Sequence, residues 1–119
     1  MLKPYFLLLA SGFISLFLTG CEQVQDDAIR LEQARSLTPS NQDLNGIYQR
    51  SCVACHANPD TQAPLTGDLV AWQPRIDKGM ETLLTHVVNG FGGMPPFGMC
   101  MDCSEEEFEQ LIQFMAQSK

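Results

Sequence analysis

The chain has 119 residues, with seven Lys+Arg against fourteen Asp+Glu, a formal net charge of -7 and a pI near 4.5. That is one small domain at most, and its acidity excludes a nucleic-acid binder, which needs a basic footprint. Hydrophobic residues at 45% and aromatics at 8% exclude a disordered or fibrous chain, and the odd count of five cysteines needs explaining.

After Lys3, residues 5–18 read YFLLLASGFISLFL, fourteen residues without a charge. The run is short for a bilayer span and suits the apolar core of a signal peptide. Leu18-Thr19-Gly20-Cys21 follows and resembles a bacterial lipobox. The resemblance implies that residues 1–20 are removed and that Cys21 becomes an acylated N-terminus, anchoring the protein to a bacterial membrane from the periplasm. Glu22 stands where an Asp commonly retains lipoproteins at the inner membrane, which favours the outer one. Disulfides persist in such a compartment.

Residues 22–42, EQVQDDAIRLEQARSLTPSNQ, are polar. Ile29, Leu31 and Leu37 are too sparse for an amphipathic stripe, and Thr38-Pro39-Ser40 breaks the segment. Residues 21–40 are therefore expected to be a flexible, lipidated tether leading to a domain at 41–119.

Short helices are predicted within that domain. Ser40, with Asp43 three residues on, opens one with Leu44, Ile47 and Tyr48 on a single face. Asn58-Pro59-Asp60 and Ala63-Pro64 mark a loop, and 68–72 forms a short helix stopped before Pro74. Leu83, Leu84, Val87 and Val88 fall at helical spacing, ended by Asn89-Gly90. Residues 91–102 hold three Gly and two Pro and are loop. Ser104 with Glu107 forms a capping box for a last helix with a stripe of Phe108, Leu111, Ile112 and Met115. No strand pattern appears. A core of about 80 residues supplies no more than roughly 3–5 kcal/mol without a staple.

Cys52-Val53-Ala54-Cys55-His56 is C-x-x-C-H, the attachment motif of c-type haem. Two thiols three apart near a helix end reach both vinyl groups on one haem edge, and the next residue places an imidazole under the iron. Cys100-Met101-Asp102-Cys103 repeats the spacing without a His. It reads first as a structural disulfide. A four-thiolate zinc site with Cys52 and Cys55 and a thioredoxin-like redox pair are the alternatives, and no βαβ pattern accompanies it. Of the methionines, Met94 stands out as the sixth ligand, because Gly90-Phe91-Gly92-Gly93 lets backbone approach a planar cofactor and Pro95-Pro96 stiffens the presenting loop. His86 is read as solvent-facing. Pro64 is a candidate to accept the Nδ1–H of His56 through its carbonyl. Trp72 and Arg75 are candidates to contact haem propionates. Leu65, Ile76, Leu84, Val88, Phe97 and Phe108 are expected as apolar walls.

With Tyr48 four before Cys52, Ala63-Pro64-Leu65, Gly67-Asp68, Trp72, Pro74-Arg75, and Met94-Pro95-Pro96 followed by Cys100 and Cys103-Ser104, residues 46–115 resemble the class I c-type cytochromes, and closely the cytochrome c5 group. The resemblance implies an all-α, small cytochrome c-like fold of three to five helices around one covalent haem c, with first and last helices packed together. It also implies His56/Met94 ligation, a Cys100–Cys103 disulfide and electron transfer. Leu44 stands where the group often has Gly, and Gly46 comes two later. The expected activity is a membrane-anchored periplasmic shuttle that is not an enzyme, takes no small-molecule substrate and docks redox partners with a basic surface. The alternative is a haem c subunit or docking module of a larger membrane reductase or oxidase complex.

Overall fold

The computed structural model describes residues 21–117. The leader reading falls on 1–20, outside the described residues, as does the Cys21 side chain. Among the described residues the fold is all-α, and the one β feature is an isolated bridge between Phe91 and Met94. No helix of the described residues is long and apolar enough to cross a membrane.

The segment expected as a flexible tether is instead helix α1, Cys21–Ser36. Residues 25–30 carry only exposed side chains, Ile29 among them at 59% exposure. The far end explains why it is helical at all: Ala34 is fully buried, Leu31, Gln33 and Leu37 are half-buried, and Pro39 is buried. A sparse stripe suffices where only the last turn and the residues after it pack on the domain. Ser36 Oγ and the Leu37 amide both donate to the Gln33 carbonyl and close the helix.

Helix α2, Gln42–Ile47, begins one residue later than Ser40 suggests. Asn41 is the cap, its Oδ1 accepting from the Asp43 and Leu44 amides at 2.9 and 3.1 Å. The chain then passes without a break through a π-helical turn, Tyr48–Cys52, into α3, Val53–His56. The Val53 amide bonds the Tyr48 carbonyl, five residues back. This extra residue in the turn offsets the CxxCH face from the α2 core face; such π turns recur at functional sites.

Helix α4, Leu69–Ile76, is capped by Asp68, whose Oδ1 accepts from the Ala71 amide at 3.2 Å. It runs through Pro74 rather than stopping before it. Pro74 is exposed, so the helix carbonyl that loses its amide partner there can be served by water. Helix α5, Met80–Asn89, ends at Gly90 (φ 80°), where a Cβ would come within 3.0 Å of the Met94 carbonyl and 3.1 Å of the Pro96 nitrogen. Only glycine fits that approach. Within the stretch read as loop, a 3₁₀ turn forms at Pro96–Met99 and packs on α5. Helix α6, Glu105–Ala116, carries the expected capping box: Ser104 Oγ accepts from the Glu107 amide, and Glu107 Oε2 accepts from the Ser104 amide.

The core joins Ile47 and Tyr48 of the first helical run, Trp72 of α4, Leu83 and Val87 of α5, and Phe108, Leu111, Ile112 and Met115 of α6. The first and last helices of the domain meet where Tyr48 stands edge-on to Phe114, ring centroids 5.2 Å apart at 82°. Leu44 packs against this core, whereas a Cβ on Gly46 would touch nothing within 4 Å. The usual glycine contact is thus replaced by a leucine, and Gly46 does not substitute for it.

Candidate functional site

Cys52 closes the π turn, and Cys55 and His56 lie on α3. Positions three and four apart share a helix face, so both thiols and the imidazole are presented together. Cys52 and Cys55 are free and half-buried. Burial pushes the Cys52 thiol up to about 11, against the nearby Arg50 charge, which lowers it. It is therefore a neutral thiol at neutral pH.

His56 is 7% exposed. Its Nδ1–H donates to the Pro64 carbonyl at 2.8 Å, the partner the sequence suggested. That bond fixes the tautomer and leaves the Nε2 lone pair for a metal; among the described residues nothing hydrogen-bonds Nε2. Burial, opposed by the Pro64 bond and assisted by the Arg75 charge, lowers the imidazole pKa and keeps it neutral. The loop around it is tied down on three sides. The Thr66 amide donates to the His56 carbonyl at 2.8 Å, Thr66 Oγ1 shares a buried 2.9 Å hydrogen bond with Tyr48 Oη, and the Gly67 amide donates to the Met115 carbonyl at 2.8 Å.

Trp72 and Arg75, the candidates for propionate contact, both have partners within the protein. The Trp72 ring stacks on His56, centroids 5.8 Å apart at 22°, and its indole N–H donates to the Leu65 carbonyl at 2.9 Å. Trp72 therefore braces the imidazole and its loop. Arg75 turns back on its own helix, Nη1 donating to the Ala71 carbonyl. His86 is half-buried, not solvent-facing, and stacks on Phe91 at 4.0 Å and 16°. Sequence reading missed both stacks because periodicity records no ring orientation. Of the expected walls, Phe108 is buried, Leu65, Leu84 and Phe97 are half-buried, and Ile76 and Val88 are exposed at 37% each.

Met94 is held by a two-residue turn. Phe91 and Met94 exchange both backbone hydrogen bonds at 3.0 Å around Gly92, whose φ of 58° glycine accepts. The Met94 side chain is half-buried and packs on the core. Its Cε would lie 3.1 Å from a Cβ on Gly98, itself a buried glycine. Met99 and Met101 are 61% and 73% exposed. Cys100 and Cys103 form a disulfide, with Cys100 at 1% exposure. Arg50 Nη1 and Nη2 each reach an Asp102 carboxylate oxygen at 3.0 Å. This pairing holds the Asp102 carboxyl below the usual range.

The donor set fits haem c. Two thiols remain unpaired at the same spacing at which Cys100 and Cys103 are bonded, beside a buried imidazole whose Nε2 carries no hydrogen bond among the described residues, while the Met94 thioether side chain packs on the core.

The family model described as cytochrome C oxidase, cbb3-type, subunit III matches residues 39–115. Cytochrome c5 of Ectopseudomonas mendocina is 39% identical over 72 residues, covering 59% of this chain and 83% of that protein. Cytochrome c5 of Azotobacter vinelandii is 38% identical over 72 residues, covering 59% and 87%. Cytochrome c-555 of Chlorobaculum tepidum is 35% identical over 77 residues, covering 60% and 71%. Among solved structures, a chain from the crystal structure of an electron transfer complex of nitrite reductase with cytochrome c matches with TM-score 0.56 and 33% identity, covering 64% of this chain and 93% of that one. The chain belongs to the family of that model and, among class I c-type cytochromes, to the cytochrome c5 group: it is a monohaem electron-transfer protein whose haem c is covalently held through Cys52 and Cys55.

Proposed function

We propose that this cytochrome is a lipid-anchored periplasmic carrier passing single electrons between protein partners, with His56 and Met94 as the axial pair. The observation that carries the ligand reading is the contrast among the loop methionines: Met94 is half-buried on the core, while Met99 and Met101 face solvent. When bound, the haem supplies a one-electron couple. The chain's residues do the rest. Cys52 and Cys55 would hold the haem covalently and His56 and Met94 would ligate its iron, while Pro64 holds the His56 ring in one tautomer and Trp72 braces that ring. Arg75 has guanidinium donors beyond the one given to Ala71 and is carried as the propionate partner.

Asp102, Glu105, Glu106 and Glu109 are acidic side chains at or near the start of α6, and Asp102, Glu105 and Glu106 are exposed. They support docking of a basic partner, with rates falling as salt rises. Anchoring rests on Cys21 in its lipobox context, and Glu22 favours the outer membrane. The family model's own description supports a second reading, a haem c subunit or docking module of a larger membrane complex. That reading predicts copurification with a large partner from detergent extracts, and the carrier reading predicts a free protein.

The ferric visible spectrum tests the axial pair. A low-spin spectrum with the weak charge-transfer band of thioether ligation is expected, and Met94→Ala should abolish that band and admit carbon monoxide to the ferrous form. A spectrum unchanged by Met94→Ala refutes the assignment. Cys21→Ser should move the protein from the membrane fraction to the soluble one; continued membrane association refutes the lipid anchor.

A further inference from the structure

The segment carrying Met94 is under backbone strain. Phe97, Gly98 and Met99 are consecutive residues at positive φ (58°, 54° and 63°), and two of them are not glycine. Such conformations persist where the surroundings hold them. Inward, Met94 and Phe97 pack on the core. Outward, the segment runs directly into the disulfide turn, the Cys100 amide donating to the Phe97 carbonyl at 2.9 Å.

One side chain fastens that turn to the haem-attachment run. Arg50 lies on the π turn two residues before Cys52. Besides its paired 3.0 Å bonds to Asp102, its Nη2 lies 3.2 Å from Cys100 Sγ and 3.9 Å from Cys103 Sγ. The planar guanidinium therefore spans the whole turn, a geometry that a lysine, as a point charge, does not reproduce. Exposed ion pairs contribute little to global stability. The consequence is expected in the local opening of the loop.

We infer that Arg50 is a positioning residue for the sixth-ligand loop: by clamping the Cys100–Cys103 turn through Asp102 to the haem-attachment helix, it sets how often Met94 leaves the iron. This rests on Met94 being the ligand. Exogenous imidazole reads the opening directly, because its apparent affinity scales with the fraction of molecules whose sixth position is open.

The experiment titrates imidazole into ferric holoprotein for wild type, Arg50→Gln, Arg50→Lys, Asp102→Asn, the Arg50→Gln/Asp102→Asn double variant and Met94→Ala. Urea unfolding by far-UV circular dichroism is followed on the same samples. Arg50→Gln and Asp102→Asn should each tighten imidazole about threefold, the double variant no more than either single one, and Arg50→Lys by less. Raising salt to about 1 M should tighten imidazole in wild type and leave Arg50→Gln unchanged. A lower urea midpoint in Arg50→Gln with unaltered imidazole affinity, while Met94→Ala binds imidazole more tightly, overturns the clamp and leaves the ligand in place. Unaltered affinity in Met94→Ala overturns the ligand assignment and the clamp with it. If Arg50→Gln fails to fold, Asp102→Asn carries the same expectation, and an unchanged affinity there is equally fatal.

Discussion

Gly67→Ala tests whether the N-terminal segment is seated on the haem domain. Gly67 has φ of 81°, and a Cβ there would lie 2.7 Å from Leu37 Cδ1 and 3.1 Å from Gln33 Nε2. An alanine held at this φ costs about 1–2 kcal/mol. Driving the leucine off its rotamer adds about 1 kcal/mol. The expected destabilisation is about 2–3 kcal/mol, a fall in melting midpoint of about 10 to 20 °C for a domain of this size. Leu37→Ala removes a half-buried side chain and should cost about 1–2 kcal/mol, below the range for fully buried leucines. The double variant retains the backbone strain and loses the clash. It should therefore be about 1 kcal/mol more stable than the sum of the single changes. The assay is urea unfolding of the holoprotein by far-UV circular dichroism and Soret absorbance in a double-mutant cycle. Additivity within about 0.5 kcal/mol would refute the reasoning: Leu37 would not rest on Gly67 in solution, and the segment would be the loose tether its composition suggests.

Tyr48→Phe should cost about 1–3 kcal/mol at neutral pH by stranding the buried Thr66 hydroxyl, measured by urea unfolding. The same variant carries a pH signature. Burial raises the Tyr48 pKa, with the Thr66 bond opposing, so above about pH 10 the unfolded state releases the phenolic proton first. The Tyr48 contribution is thus present below that pH and lost as pH rises further, and the alkaline fall in stability should be shallower in Tyr48→Phe. Ser104→Ala removes the Oγ that accepts from the Glu107 amide, leaving the backbone half of the capping box, and should lower stability by about 1 kcal/mol with the visible spectrum unchanged. Trp72→Phe keeps a ring on His56 but removes the indole donor to the Leu65 carbonyl, which retains the Asp68 amide; a cost of about 0.5–1.5 kcal/mol is expected, and an unchanged urea midpoint would count against the bond. Cys55→Ser should leave one thioether, detected by mass spectrometry of the haem peptide.

Elements with strong local signals were legible. The α6 cap and stripe, the α5 stripe with its Asn89-Gly90 stop, and the Pro64 bond to His56 follow from spacing and turn chemistry, and each is present. What escaped depended on contacts between distant segments. Periodicity counts apolar residues within a helix, and α1 offers few. Ala34 is buried, and Gln33 and Leu37 lie against Gly67, thirty or more positions further on, so no window on α1 contains the signal. Tryptophan chemistry reveals a donor and not its acceptor, and the Leu65 carbonyl that accepts from the Trp72 indole lies seven positions away in the His56 loop. Arg50 left no mark at all, since its partners lie fifty and more positions away.

The two C-x-x-C motifs show where spacing alone runs out. Cys52 and Cys55 lie in a continuous helical run, with Cys52 at φ −107°, ψ −45° and the chain helical through His56. Helical backbone turns both thiols and the following imidazole to one side and leaves the sulfurs free. Cys100 has φ −105° and ψ 81°, outside the helical region, and the turn through Met101 and Asp102 brings the two Cα atoms to 5.4 Å, where the sulfurs join. The residues around each motif decide the backbone. The helical run that starts at the Asn41 cap carries the first pair into a helix. Two prolines, a strained left-handed stretch and the Ser104 cap beyond hold the second pair in a turn. The same four-residue pattern therefore yields a cofactor tether in one place and a covalent brace in the other. Arg50 reaches from the first motif's helical run to the second motif's turn and so ties the two motifs together through Asp102.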